Sequence, residues 1–593
     1  MKYFILGFTT LFVLNCYSQV DAINREEIRE DLDEILSEIE QHYIYLKDKD
    51  VNLDCIRDYF SNQIKHIKSE EETVLFFEYV LDEFYDNHLT LHTNRNSSYR
   101  LFAPIYATIK NEKPIITNIW QSQIENLTQN IIRAEILKFN GKDFQQVINN
   151  FPTHCNDKKN PEVKEWITNK ILAGRYNEPR NLTLRLPNNK IIELDIDAIK
   201  LKKEDTHLLS LKTIDDIGVI RINNSLGNGD LVKEFDKAID NLFETKGIII
   251  DLRNTVNGGG TYIARGIMGR FITGDQPYQK HVFDEKSYNN PTQNPKIKRS
   301  WVEYVIPRGK TYKKPVVVLV GRWTGSMGEG LAIGFEGMER GEIVGTEMRR
   351  LAGEVFDFGF KHQNYGYKLS TAKLYHINGT IREEYIPTNY VKQTTTFKDE
   401  ALNKGIDIIK NKVNKTDSIL KKELESIKVE DQTLRLLLPN VIEKFGRESE
   451  EYKYVWSQIQ SQDSISSNKL FEILDNHGWV GKSRVGSSAN QAIWLTIQHS
   501  DLKKQEKYLP LLRESVVKGE SEGWHLAFLE DRILMRKKQK QIYGTQAVWD
   551  NELKKNKIYP IKDAKNVNQK RKKLGLDPIE DYAKINGYIF DKK

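Results

Sequence analysis

The chain has 593 residues, too many for one typical domain and enough for three or four. Apolar residues at 39% and aromatic residues at 10% are enough for real cores, while 29% charged residues point to a solvated surface. The formal net charge of +6 is small for this length and comes from interspersed Lys, Arg, Asp and Glu, so nucleic-acid binding is not expected.

The first stretch, Met1 to Asn15, has a short basic start and an apolar core too short to span a bilayer comfortably, and polar Tyr17-Ser-Gln19 follows it. It reads as a secretory signal peptide, residues 1–19, and predicts an exported protein, periplasmic or secreted. Cys16 offers a lipoprotein alternative in which that cysteine anchors the chain to a membrane, although Leu14 and Asn15 fit such a signal poorly. If Cys16 leaves with the signal, Cys55 and Cys155 remain and could form one disulfide in an oxidising compartment. No metal-ligand spacing is present, and no metal or cofactor is expected.

Apolar residues at three and four spacing (Ile28, Leu32, Ile35, Ile39, then Val74, Phe77, Val80, Leu81, Phe84) predict a helical cap over 20–98. Periodicity switches to alternation at Asp86-Asn-His-Leu-Thr-Leu-His92, which places His88 at a helix-to-strand junction. Read by itself, this histidine could simply serve a helix C-terminus. Residues 99–200 alternate strand-like runs with loops, and Asn130 to Asp143 and Asn181 to Leu194 resemble parts of a PDZ domain. Such a module would hold an extended peptide by strand addition; a β-insert without that role is the alternative.

Ile217 to Ile222, an amphipathic helix from Leu231 to Leu242, and Ile248 to Leu252 follow in βαβ order. The third of these runs into Arg253-Asn-Thr-Val-Asn-Gly-Gly-Gly260, where consecutive glycines let backbone N–H groups approach a ligand. Further on, the apolar run Pro315 to Val320 enters Gly321-Arg-Trp-Thr-Gly-Ser-Met-Gly-Glu-Gly330 and then a helix from Leu331. A serine between glycines at a strand-to-helix turn has an exposed hydroxyl and free N–H groups beside it, which makes Ser326 a candidate nucleophile. The same residues also read as ordinary turn and cap chemistry.

Together, Asp251-Leu-Arg253 with Asn257-Gly-Gly-Gly260, the Ser326 turn, Ile343-Val-Gly-Thr346, Asn378-Gly379 and Pro387 resemble the C-terminal-processing, or tail-specific, serine peptidase family, which includes the tricorn core peptidase. The likeness spans roughly 208 to 393, with Thr255 and Val256 standing as an insertion in the family's loop. It implies a ClpP/crotonase-like α/β peptidase core over 208–395, with an oxyanion held by N–H groups of Met327 and of Gly258 or Gly259. In the Ser-Lys branch a lysine base lies about twenty-five residues after the nucleophile, but Leu351 falls there, and Arg349 and Arg350 stay protonated. The tricorn-like branch uses a histidine at the end of an N-terminal helix, which maps the base onto His88. That branch also takes a glutamate shortly before the closing proline, which maps onto Glu383, with Glu384 close behind.

A charged stretch, 396–430, reads as a helical linker, and 431–593 as a separate, mostly helical domain. Gln498-His-Ser-Asp501, Asp531-Arg532 and Tyr543-Gly-Thr-Gln546 resemble a bacterial domain family of unknown function. His499, Asp531, Arg532 and Gln546 could meet in a polar pocket or form a buried network that ties helices together. The expectation is thus a multidomain α/β protein: an exported serine endopeptidase acting on protein or peptide substrates by a Ser-His(-Glu) mechanism. A catalytically silent peptide- or lipid-binding protein on the same fold is the alternative, and a third reading places the activity in the C-terminal domain.

Overall fold

A computed structural model describes residues 23–202, 207–285 and 297–590. The expected signal segment and Cys16 fall outside these residues. Among them, no helix is long and apolar enough to cross a membrane. Two compact units divide between Lys410 and Asn411.

The first unit is built around a six-stranded sheet whose strands lie side by side in chain order: Leu209–Ile214, Ile217–Ile222, Gly247–Asp251, Val316–Val320, Glu342–Gly345 and Asn389–Tyr390. All neighbours are parallel except the first pair. Every residue of Gly247–Asp251 and of Val316–Val320 is buried, which is why these strands read as unbroken Ile and Val rather than as alternation. Helices Asp230–Asn241, Thr261–Met268 and Met327–Gly337 complete the crossovers and pack Leu231, Phe235, Met268, Leu331 and Phe335 into one core with the sheet. The loops after Asp251, Val320 and Gly345 therefore leave the same, C-terminal, edge of the parallel sheet, where ligand sites of such sheets form.

A second sheet, antiparallel, runs Ile297–Val305, Gln276–Glu285, Gly366–Tyr375, Glu354–Gly359. The N-terminal helices Arg25–His42, Leu53–Gln63 and Glu70–Asp82 share a core with Ala352, Phe360, Tyr367 and Leu369 of that sheet's last hairpin. Chain 90–92 then adds along the hairpin: Lys368 N–H donates to the Thr90 carbonyl at 2.9 Å and His92 N–H to the Gly366 carbonyl at 2.8 Å. This pairing fixes where His88 emerges.

Residues 99–200 fold as a third sheet, ordered Ile105–Lys110, Lys113–Ile119, Glu135–Phe139, Asn181–Arg185, Ile191–Asp195, with helices Phe144–Asn149 and Pro161–Ala173. Its edge strand Ile105–Lys110 lies under the second helix. There the Asn169 amide accepts from Ala107 N–H at 3.0 Å and donates to the Ala107 carbonyl at 2.8 Å, so both groups that an added peptide strand would use at that residue are taken. Trp120 and Trp323 stack at 5.6 Å with ring planes 3° apart. Each indole N–H crosses to the other part, Trp120 to the Arg253 carbonyl and Trp323 to that of Ala103, which seats this sheet on the loops of the core.

The second unit is mostly helical. Helices Glu450–His477, Lys482–His499, Leu502–Val517 and Gly523–Arg536 surround a core that includes Leu470, Ile493, Leu512 and Leu529, and a hairpin, Ala547–Asp550 with Lys555–Ile558, follows. The expected linker needs correction: Glu400–Phe445 is a single helix, and its Leu420, Leu424 and Ile427 are buried in this second core. Their 4 and 3 spacing supplies an apolar stripe, so 411–430 is part of the second unit.

Cys55 and Cys155 are joined, tying helix Leu53–Gln63 to the segment ahead of Pro161–Ala173 across a sequence separation of 100. Closing so long a loop restricts the unfolded chain, and reduction is expected to cost about 2–4 kcal/mol. Melting with and without a reductant measures this, and Cys55→Ser should match the reduced protein.

Candidate active site

The turn after Val320 is sewn to its neighbours by backbone and hydroxyl groups. Thr324 Oγ1 donates to the Leu252 carbonyl at 3.0 Å and accepts from Gly321 N–H at 3.1 Å, and Arg349 N–H donates to the Thr324 carbonyl at 2.9 Å. So anchored, the chain reaches Ser326 with φ 49° and ψ −113°, a left-handed backbone rare for a residue with a side chain, directly before helix Met327–Gly337. This is the sharp strand-to-helix turn that lifts a serine hydroxyl out of a sheet edge.

Gly258 sits against it. With φ 61°, its position is open only to glycine, because a Cβ there would come within 2.4 Å of Ser326 Cβ and 2.8 Å of Oγ. Of the two glycine N–H groups expected at an oxyanion, that of Gly258 is spent on the Thr255 carbonyl at 3.2 Å. Gly259 and Met327 N–H have no hydrogen-bond partner among the described residues.

The helix holding Ser326 carries a residue that the sequence reading passed over. Glu329 is fully buried, and its Oε1 accepts from Ser326 N–H at 3.3 Å and from Leu351 N–H at 3.0 Å. Burial pushes its carboxyl up to about 7, with Arg382 opposing and Glu383 adding to the rise. Arg382, also buried, lies 3.8 Å away and donates to the carbonyls of Leu351 and Gly353. The signal was present as Ser326-x-x-Glu329, the spacing of a helix capping box.

His88 reaches the same three-residue segment from the other side. Its Nδ1 lies 2.9 Å from the Ala352 carbonyl, and its backbone N–H donates to Asp86, whose other oxygen accepts from the Tyr43 hydroxyl at 2.8 Å. A carbonyl can only accept, so Nδ1 carries the proton and Nε2 keeps its lone pair. Burial lowers His88 to about 3; the Ala352 bond pulls the other way, while Arg382, Arg349 and Lys368 add to the fall. His88 is thus neutral at ordinary pH. No hydrogen bond joins it to Ser326; the two meet through 351–353, where Leu351 holds Glu329 and Ala352 holds His88.

Glu383, expected to orient the base, makes no hydrogen bond to His88, because the Ala352 carbonyl occupies Nδ1. It lies in the short turn Arg382–Glu384 beside Tyr45, close enough to act on that hydroxyl electrostatically but without a formed hydrogen bond, and burial raises its carboxyl. Glu384 is exposed. The loop after Asp251 owes its shape to Arg253, whose guanidinium forks between Asp251 (2.9 and 2.8 Å) and Asp399 (2.7 and 3.0 Å). Arg349 reaches the Val256 and Leu101 carbonyls, joining that loop to the module.

In the second unit, the four expected pocket residues divide. Asp531 accepts from the N–H groups of Ile542, Tyr543 and Thr545 and from the Thr545 hydroxyl, a structural role. Arg532 Nε donates to Gln546 Oε1 at 2.6 Å. His499 Nδ1 instead meets Asp431 at 2.8 Å.

Residues 216–391 match the model of peptidase family S41, residues 24–82 that of the tricorn protease C1 domain, and residues 419–592 a family of unknown function (DUF6624). No curated protein matches the chain. Among solved structures, mature CPAF is 13% identical over 65% of this chain and 96% of its own, with a TM-score of 0.45. The photosystem II D1 C-terminal processing protease is 13% identical over 62% and 94%, at 0.38, and the tricorn protease 11% over 65% and 37%, at 0.32.

Two outcomes check this geometry. Gly258→Ala should destabilise the protein by about 2 kcal/mol or more, from the left-handed backbone and the clash with Ser326, measured by denaturant titration. Below pH 6.5 an unfolded chain binds a proton that folded His88 refuses until about 3, so this group removes stability as the pH falls through that window. Melts of the wild type should therefore decline more steeply between pH 6.5 and 4 than those of His88→Asn.

Proposed function

From a chain whose central domain is that of peptidase family S41, a serine-type peptidase, we propose an exported endopeptidase that cleaves protein or peptide substrates with Ser326 as nucleophile and His88 as base. The observation that carries this reading is the Ser326 backbone: a left-handed serine at the C-terminal edge of a parallel sheet, followed at once by a Met327 N–H with no partner among the described residues. Ser326 Oγ attacks the scissile carbonyl and passes its proton to His88 Nε2. The oxyanion that forms takes hydrogen bonds from the N–H groups of Met327 and Gly259, with Gly258 as their close neighbour. Collapse expels the amine, which takes the proton from His88, and water then releases the acyl group by the same exchange in reverse. The Ala352 carbonyl sets the His88 tautomer, a task often given to an acid. Glu383, beside Tyr45, acts at longer range on the Arg382 and Glu329 charges rather than on the ring.

Export is supported by the Cys55–Cys155 bond, which persists in oxidising compartments. A PDZ-like role for 99–200 requires either that Asn169 yield the Ala107 edge or that the substrate pair elsewhere.

The missing His88–Ser326 hydrogen bond favours a second reading, a silent binding protein, and one experiment separates the two. Treatment with a serine-directed phosphonate should modify Ser326 in the wild type and nothing in Ser326→Ala. His88→Ala should slow labelling by about 10²–10⁴-fold. An unlabelled but folded wild type would leave the binding protein as the better account.

A further inference from the structure

The glycine loop beside Ser326 and the segment that holds His88 are linked by polar side chains that have no part in the chemistry described above. Thr261, the first residue of helix Thr261–Met268, directly follows Gly258-Gly-Gly260. Its Oγ1 donates to Glu303 Oε2 at 2.9 Å, and the Tyr278 hydroxyl donates to the same oxygen. The other Glu303 oxygen lies 3.7 Å from His281 Nε2, and His281 Nδ1 lies 2.9 Å from Glu354 Oε2. Glu354 stands two residues beyond Ala352, whose carbonyl fixes the His88 ring. Thr261, Glu303, His281 and Glu354 thus form a chain of contacts between the two segments that frame the Ser326 turn.

The middle of this chain is charged and shielded. His281 is 3% exposed, and Trp301 stacks on its ring at 4.7 Å with the planes 17° apart. Burial works against a charge on the imidazole, but Glu303 and Glu354 outweigh it and raise its pKa. Burial likewise opposes a charge on Glu303, which His281, Tyr278 and Thr261 nevertheless hold down to about 2. Of the other elements packed there, strand Gly366–Tyr375 sets Leu374 beside His281, helix Thr261–Met268 brings Arg265 to act on Tyr278, and helix Met327–Gly337 sets Gly330 and the Met327 side chain against Gln279. With both ring nitrogens protonated, the Gln279 amide, 3.1 Å from Nε2, turns its oxygen to the ring. Removing one partner from so buried an ion pair leaves an uncompensated charge.

We propose that Glu303, His281 and Glu354 are positioning residues for the Ser326 reaction, a protonated brace that keeps the Gly259 N–H and the His88 ring aligned with the nucleophile. This rests on the reading of Ser326 as nucleophile. The brace reaches the oxyanion donor through Thr261 and the His88 ring through the backbone of 352–354. Proton loss from His281 leaves two carboxylates on either side of a neutral ring and slackens both ends. The reaction therefore slows as the pH rises, on the opposite limb from the one set by His88, which must be neutral to accept a proton. The stabilisation that the charged ring gives the fold is complete below about pH 6.5 and is lost as the pH rises through the higher value of folded His281.

Phosphonate labelling of Ser326 in the full chain between about pH 5 and 9, combined with amide hydrogen exchange of 257–262 and 350–354, tests it. Glu303→Gln and Glu354→Gln should each slow labelling at saturating reagent about tenfold or more, with reagent affinity little changed. Each should also speed exchange in the far segment, 350–354 for Glu303→Gln and 257–262 for Glu354→Gln, which a local packing role would not do. The wild-type rate should fall above about pH 6.5, and His281→Gln should be slow throughout and lack that fall. If His281→Gln fails to fold, the glutamate variants, at half-buried positions, carry the same test: each should move the fall to lower pH, because a carboxylate that favours the imidazolium is gone. The proposal is overturned if both glutamate variants label within about twofold of the wild type, if exchange changes only beside the substituted residue, or if His281→Gln keeps the alkaline fall. A wild type that takes no label overturns the nucleophile assignment instead, and the brace is then decided by the far-segment exchange alone.

Discussion

Everything at the candidate active site follows from holding one serine in a backbone conformation that serine does not choose. A left-handed non-glycine residue costs about 1–3 kcal/mol and persists only where its surroundings leave no alternative. Here the surroundings are the Thr324 hydroxyl bridging two strand ends, the buried Glu329 that takes Ser326 N–H, and Gly258, which has no side chain to push Ser326 aside. Thr324 and Glu329 lie in the crossover that carries Ser326 itself, and Gly258 in the crossover before it. The strain is thus shared between two neighbouring loops of the sheet edge.

Electrostatics at the site are arranged around burial. Glu329 lies close to Arg382, and neither is free to move, since each also holds backbone groups of 351–353. The peptide groups of that segment carry both contacts: the Leu351 N–H steadies Glu329 in the helix behind Ser326, and the Ala352 carbonyl fixes the His88 ring. His88, more than two hundred residues upstream of Ser326, is held there by chain 90–92 pairing with the Gly366–Tyr375 strand. The placing of His88 relative to the Ser326 turn therefore depends on the N-terminal helices and the core being packed together.

How much of this the sequence discloses depends on whether side chains or peptide groups carry the contact. The all-buried strands announce themselves through Ile248 to Ile250 and Val316 to Val320, and the Ser326 turn through its glycines and the helix beyond. His88 is conspicuous only because alternation begins just after it, and its role came from resemblance. The Ala352 carbonyl has no residue-type signature, so an acid was expected where a backbone oxygen stands. Glu329 was visible as a capping-box residue but was overshadowed by the serine it caps. In the second unit the Asp531–Arg532 pair looked like one feature, yet adjacent helical positions point apart, one into a backbone turn and the other toward Gln546.

The amide of Asn169 has a consequence beyond peptide recognition. An uncovered edge strand is a template on which another chain can pair, and proteins usually blunt such edges with charge, proline or a bulge. Strand Ile105–Lys110 has a bulge at Tyr106/Ala107 and, at the same place, a side-chain amide that imitates the missing neighbour. The helix that carries Asn169 thus blunts that edge as a template. This one amide takes up the hydrogen-bonding valence with which a second strand would have to begin pairing at Ala107.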